Sequence, residues 1–415
     1  MAQQKKKIRT IIILLLFVAY FFIAARPIPR ETVLALRWLS SLNLTRALNT
    51  DSLSLADSLL EPGVYAETAG QNKTEKFFPF TLGTHFGYVD TSGNYVINKI
   101  KTGDIYLSEN LWAEYDAEPS RIEIKNISEE TVINIENIRG YPVLLDNRVF
   151  ILGSEQNALS EINADGRILW TYEFGAPLTC IDAAAGLVVT GSIDGIIEIL
   201  DSEGKRIFYF EPGGSQYSVI LGCAISRNGS RLGIVSGINQ QRFLLLERFG
   251  PTRGAADDSA SGSTFGSTFG STFGDYKVIY HEFLDANFRR PVYISFIDQD
   301  RRIVFERSEG LGCYNIKSRR EIRIPLSGEI IAIDTSGEQG FFFLITSHSQ
   351  QRKELVGIRF PQDNRLAVSM FGRDMHDAIF MKASFKSDDV FLGRYGSMLI
   401  TGGGTTLISF DLEEK

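Results

Sequence analysis

Two neighbouring stretches of the chain are copies of one pattern, and this constrains the fold more than any other feature. Residues 142–174 read PVLLDNRVFILGSEQNALSEINADGRILWTYEF, and residues 177–212 read PLTCIDAAAGLVVTGSIDGIIEILDSEGKRIFYFEP. Gly153-Ser154 in the first matches Gly191-Ser192 in the second, and Asp165-Gly166 matches Glu203-Gly204. Each copy parses as an apolar strand, a turn, and a second apolar strand ending in Gly-Ser. An alternating strand, a tight Asp-Gly or Glu-Gly turn and an aromatic-rich outer strand follow. Glycine in that turn supplies the positive φ that lets antiparallel strands reverse in two residues. A unit this small cannot bury its apolar faces alone, so it requires stacked neighbours.

The pattern recurs more loosely at 104–135, from Val219, from Pro291 and from Glu329, and the C-terminal MLITGGGTTLISFDLEEK parallels LVVTGSIDGIIEILDSEGK. The 38 glycines and 29 phenylalanines, against 5 methionines, suit many short strands joined by tight turns. The expected fold is all-β: a β-propeller of about seven blades, with six or eight open, over residues 77–415. The last unit runs out of chain before its outer strand. The hairpin FGYVDTSGNYVI at 86–97 is the expected source of the missing piece, because closing the ring removes exposed edges.

On these residues the chain resembles known propeller families. ALSEINADGRILWTYEF at 158–174 resembles a PQQ-like (quinoprotein-like) repeat, with Trp170 where such a repeat expects a tryptophan. CAISRNGSRLGIVSG at 223–237 is similar to the inner strand pair of a WD-type repeat, although the WD dipeptide and its Gly-His partner are absent. The resemblance implies the fold, and it implies interaction scaffolding as one use of it. A PQQ-like propeller of the outer-membrane assembly machinery is a periplasmic scaffold, but it is a lipoprotein, and no cysteine follows the apolar run here.

Ahead of the repeats, Lys5, Lys6, Lys7 and Arg9 precede the apolar run IIILLLFVAYFFIAA at 11–25. Basic-then-apolar order predicts an N-terminus inside and a body exported. The expected division is a cytoplasmic basic tail at 1–9, a transmembrane signal anchor at 10–27, and a helical or flexible spacer at 28–76. A cleaved signal peptide is the alternative to the anchor. Leu36, Leu39 and Leu42 recur at helical spacing, so the spacer is expected to begin as a helix near Arg30, with a second short helix running to Leu60 before Pro62-Gly63. At 251–275 the pattern breaks: Gly-Ser-Thr-Phe occurs three times in tandem, a composition unable to build its own core, expected as a disordered loop between two strands of one blade.

No catalytic, cofactor-binding or metal-binding residues are assigned. Cys180, Cys223 and Cys313 lie far apart in apolar runs and are expected to be small buried hydrophobes. His85, His281, His348 and His376 lack zinc-ligand spacing. Gly402-Gly403-Gly404 falls at a blade turn with no helix after it, unlike a phosphate loop. Glu129-Glu130 and Asp388-Asp389 read as solvated turn acids. A net charge of −7 without a long basic run disfavours nucleic acid as a partner. The expectation is a non-enzymatic scaffold for envelope or membrane proteins, outside the cytoplasmic membrane and needing no cofactor. Two alternatives stand: a propeller sensing a small molecule or glycan in its channel, with Cys180, Ser226 and Asp334 near inner strands, or an enzyme using channel carboxylates.

Overall fold

The computed structural model describes residues 32–42, 76–117, 119–137, 139–249, 275–334, 340–360 and 378–414. Among them are 31 strands in eight antiparallel sheets and no α-helix. The first strand, β1 (Thr32–Ser41), belongs to the last sheet. Blade 1 is β2 (Phe77–Leu82), β3 (His85–Asp90) and β4 (Tyr95–Ile100). Blade 2 is β5 (Asp104–Leu107), β6 (Leu111–Tyr115), β7 (Arg121–Asn126) and β8 (Thr131–Glu136). Blade 3 is β9 (Gly140–Leu145), β10 (Arg148–Gly153), β11 (Ala158–Ile162) and β12 (Ile168–Glu173). Blade 4 is β13 (Leu178–Ala184), β14 (Leu187–Ser192), β15 (Ile197–Leu200) and β16 (Arg206–Phe210). Blade 5 is β17 (Tyr217–Ile225), β18 (Arg231–Ile238), β19 (Arg242–Phe249) and β20 (Asp275–Phe283). Blade 6 is β21 (Ile294–Ile297), β22 (Arg302–Arg307), β23 (Gly310–Asn315) and β24 (Arg320–Pro325). Blade 7 is β25 (Glu329–Ile333), β26 (Phe341–Ser347), β27 (Arg352–Arg359) and β28 (Ile379–Lys386). Blade 8 is β29 (Val390–Tyr395), β30 (Met398–Gly403) and β31 (Thr406–Glu414), completed on the outside by β1.

First strands of most successive blades touch one another, as β9 with β13 and β13 with β17, apolar clusters join blades 1 with 2 and 6 with 7, and β29 touches β2, so the ring closes. The core follows from this. Side chains alternate between the two faces of a strand, and each blade face meets a different neighbour. Within β22, Ile303 and Phe305 pack toward blade 5, while Val304 between them packs toward blade 7. The middle strands are therefore buried on both faces and read as continuous apolar runs. Eight apolar clusters result, one per seam, and the cluster joining blades 8 and 1 contains Phe78, Phe80, Leu82, Met398, Ile400 and Leu407. At the seam of blades 5 and 6, Phe243 and Phe305 stack with centroids 3.9 Å apart.

Several expectations are corrected. The blades number eight, not about seven, because residues 77–100 form a blade of their own instead of completing the last one. Closure falls to β1, which pairs with β31 from Thr32↔Glu414 to Ser41↔Thr406. The spacer helix expected from Arg30 is thus a strand over 32–41. Among the described residues no helix is long and apolar enough to cross a membrane. The anchor expected over 10–27 and the second short helix lie outside the described residues. So does the tract 251–274, whose flanking strands β19 and β20 pair with each other in blade 5.

Candidate interaction surface

A tryptophan lock recurs at the rim. In the Asp201–Gly204 turn, the Asp201 carboxylate accepts the amides of Glu203 and Lys205 at 3.0 and 2.9 Å. Gly204 takes φ +74° in that turn, and an added Cβ there would lie 2.4 Å from Trp170 Cδ2 on the outer strand of the preceding blade. The Trp170 indole N–H donates to Glu161 Oε2 at 2.8 Å, and Glu161 is held by Arg148. The same device joins blade 8 to blade 1. Asp90 holds the turn to Asn94, an added Cβ on Gly93 would lie 2.7 Å from Trp38 Cδ2, and the Trp38 indole donates to Thr91 O at 3.1 Å. Trp38 therefore does for β1 what Trp170 does for β12.

Blade 1 differs from the others in having three strands among the described residues, where each of the others has four. Among the described residues the rim therefore ends about 4.8 Å further in at β4 than where a fourth strand would lie. The register fixes what that edge offers. Lys101 N–H donates to Thr84 O at 2.8 Å, so Lys99 and Ile97, opposite Phe86 and Tyr88, direct their amides inward to β3. Asn98 and Ile100 direct theirs outward. Ile100 is 65% exposed and Val96 43%. The flank is charged, with Lys99 paired to Glu129 and lying over the Trp112 ring.

Other concave regions include a cleft of about 580 Å³ between blades 6 and 7, lined by Leu326, Ile379, Phe380 and Met381 beside Glu309 and Lys382. A cleft of about 530 Å³ where blades 1, 7 and 8 meet is lined by His85, Lys386, Asp388 and Asp389 among others. Asp388 and Asp389 are exposed in the β28–β29 turn, as expected, and border this cleft. A cleft of about 310 Å³ on blade 2 is lined by Glu114, Arg121, Glu123 and Lys125.

The three residues considered for a channel ligand are each engaged locally. Ser226 is a turn residue that accepts the Arg231 amide at 2.8 Å. Asp334 is buried against Arg394, at 3.4 Å. Cys180 packs on the apolar cluster that contains Cys223. His85 lies beside Thr84, His348 is 3.7 Å from Glu354, and His281 sits beside the Phe283 ring; His376 is outside the described residues. Gly403 ends β30 and Gly404 forms the turn to β31.

Two arrangements escaped the sequence. Asp182 on β13 accepts the Ile225 amide of β17 at 2.8 Å across the blade seam, and burial pushes its carboxyl up to about 6. At the seam of blades 5 and 6, Arg307 contacts Glu282 at 3.2 Å and Glu321 at 2.7 Å, and Arg323 contacts Glu282 at 2.7 Å. Burial and the neighbouring Glu282 carboxyl push Glu321 up, and hydrogen bonds from Glu321, Tyr280 and Arg323 with the Arg307 charge hold Glu282 down. The opposed shifts suit a single proton between the two carboxylates, which two arginines clamp, an arrangement suited to tying blades together. Among the described residues no three His, Cys, Asp or Glu side chains gather as a metal site.

Several known proteins are similar to this chain. A protein of Treponema pallidum (strain Nichols), described as uncharacterized, is 24% identical over 338 residues, 81% of this chain and 80% of its own length. The computationally designed Ika8 protein superposes with a TM-score of 0.52 at 10% identity, over 82% of this chain and 96% of that one. BamB from Moraxella catarrhalis gives 0.49 at 10% identity, over 80% and 96%. A family model described as beta-propeller protein matches residues 1–253 and 271–415, leaving out most of the Gly-Ser-Thr-Phe tract. With nearly the whole chain matched and a closed ring of eight sheets, the protein belongs to the beta-propeller family.

Proposed function

We propose that the protein is a non-catalytic interaction scaffold, and that it receives a partner's extended segment as a fourth strand on blade 1. The observation carrying this reading is the recessed β4 edge, with outward amides at Asn98 and Ile100 beside exposed Val96 and Ile100. Strand addition gains affinity from main-chain hydrogen bonds and selectivity from alternate side chains. The occupant is thus an extended segment with aliphatic residues at alternate positions. The repeat type, a degenerate PQQ-like or WD-type unit, is part of the proposal and draws on the Trp170–Gly204 packing. Action outside the cytoplasm is likewise part of it and rests on the basic-then-apolar order of residues 5–25; protease access to the body in intact cells tests it.

The main test places a photo-crosslinking amino acid at Ile100 and, as control, at Tyr209 on the rim of blade 4, which is 48% exposed. A discrete adduct from Ile100 and none from Tyr209 is expected. Ile100→Pro, introduced alongside a crosslinker at Val96, removes an outward amide and leaves the β3–β4 ladder intact, so the adduct should disappear while the fold persists. Equal adducts at both positions, or slow amide exchange at Asn98 and Ile100 in the isolated protein, would refute the reading.

A further inference from the structure

Cys180 and Cys223 are 43 residues apart in the chain, but blade stacking brings them together. Cys180 lies on β13 and Cys223 on β17, the touching first strands of blades 4 and 5. Both sulfurs lie over the same short stretch of β14. Cys223 Sγ is 3.9 Å from Val189 O, and a Cβ built on Gly191 would lie 2.7 Å from Cys180 Sγ. Gly191 is the residue paired with Cys180 across the β13–β14 ladder. Its missing side chain makes the room in which the Cys180 sulfur sits. The neighbouring Cys180 thiol, with burial, raises the Cys223 thiol well above its ordinary range. Cys180 is half-buried and Cys223 is buried, while Cys313 is buried on β23 in a different seam, between blades 6 and 7.

We propose that Cys180 and Cys223 are a redox pair that closes to a disulfide across the seam of blades 4 and 5. The oxidant is a disulfide, low-molecular-weight or protein-borne. The Cys180 thiolate, more accessible of the two, attacks one sulfur of that disulfide and releases the other as a thiol, giving a mixed disulfide on Cys180. Cys223 then loses its proton to water and attacks the Cys180 sulfur, releasing the second thiol. Two protein thiols are oxidised and one disulfide is reduced to two thiols, so electrons and protons balance. The order follows from exposure, since a buried thiol of raised pKa is a poor first nucleophile. The bond ties two blades at their innermost strands, where nothing covalent otherwise joins them except the chain running through β14, β15 and β16.

The test uses the full chain. It is incubated with glutathione disulfide, free thiols are alkylated under denaturing conditions, and tryptic peptides are mapped by mass spectrometry. Cys180 falls in the peptide 168–205, Cys223 in 207–227 and Cys313 in 308–317. A crosslink between the first two peptides, with Cys313 alkylated, is expected. It should be accompanied by a rise in thermal midpoint that reverses on reduction. Cys223→Ser should stop the reaction at a glutathione adduct on Cys180. An adduct on Cys180 that never closes in the wild type, crosslinks to Cys313, or complete alkylation of all three cysteines would overturn the proposal. The wild-type map decides the matter whether or not the variant folds.

Discussion

The closure by β1 can be tested through the contact between Trp38 and Gly93. Trp38→Ala deletes one hydrogen bond, from the indole to Thr91 O, a loss of about 1 kcal/mol. It also removes the packing of a partly buried ring, about 2 kcal/mol. The sum, about 3 kcal/mol, sits at the low end of the range for Trp→Ala in cores. Gly93→Ala acts on the same contact from the other side. Its φ of +89° costs an L-residue about 1–2 kcal/mol, and the new methyl, 2.7 Å from Trp38 Cδ2, adds about 1–3 kcal/mol of overpacking. In the double variant the overpacking vanishes because the ring is gone, and only the backbone cost remains. The single losses should therefore exceed the double loss by about 1–3 kcal/mol. Urea unfolding followed by far-ultraviolet circular dichroism reads all four proteins without relying on tryptophan emission. Strict additivity, or a Trp38→Ala variant as stable as the parent, would mean that β1 does not lock blade 8 to blade 1 and would refute the argument.

Two further perturbations probe the seams. Glu321 carries a raised carboxyl, so its contribution to stability is complete below the ordinary glutamate range and is lost as pH climbs toward its folded value; Glu282, held low, contributes above that range and loses its contribution in acid. Glu321→Gln mimics the protonated partner and should match the parent at pH 5 but unfold at a higher urea midpoint at pH 9; identical midpoints at both would show that the proton is not shared. Arg394→Leu removes the guanidinium that lies 3.4 Å from the buried Asp334 carboxylate, and a loss of about 3–5 kcal/mol is expected in the same assay. A change under about 1 kcal/mol would mean that water reaches Asp334.

What could be read from the sequence follows from where its periodicity survives. Blades 3 and 4 keep their Gly-Ser pairs and their Asp-Gly or Glu-Gly turns, so the order of four strands in each is legible. β1 was not. In that strand Leu34 and Leu36 face the seam between blades 7 and 8, a bulge between Leu36 and Trp38 shifts the register by one, and Leu39 then returns to the same face. A bulged strand thus imitates the three-residue spacing of a helix, and Leu36, Leu39 and Leu42 were read that way. Trp38 held the usable signal, since it occupies the place in LRWLSS that Trp170 occupies in ILWTYE. Blade 1 was half-legible: β3 and β4 showed as a hairpin, but Pro79 inside FFPFTL hid β2. The paired thiols, the clamped carboxylates and the β4 edge all depend on which residues of different blades stand side by side. Neither spacing nor composition carries that information until the blade number and closure are known.

The join between β1 and β31 also sets a clock. Arg37 and its partner Asp411 are separated by 374 residues. At a synthesis rate of about 5–20 residues per second, β1 waits roughly 20–75 seconds for its mate to exist. Throughout that interval seven blades can stack in order as they emerge, but the circle stays open and the faces of blades 1 and 8 remain wet. The final step is then a single docking event between the two ends of a nearly finished structure. Native rigidity should appear abruptly once β31 has been made, and chains stalled short of β31 should be the form that proteases and chaperones recognise.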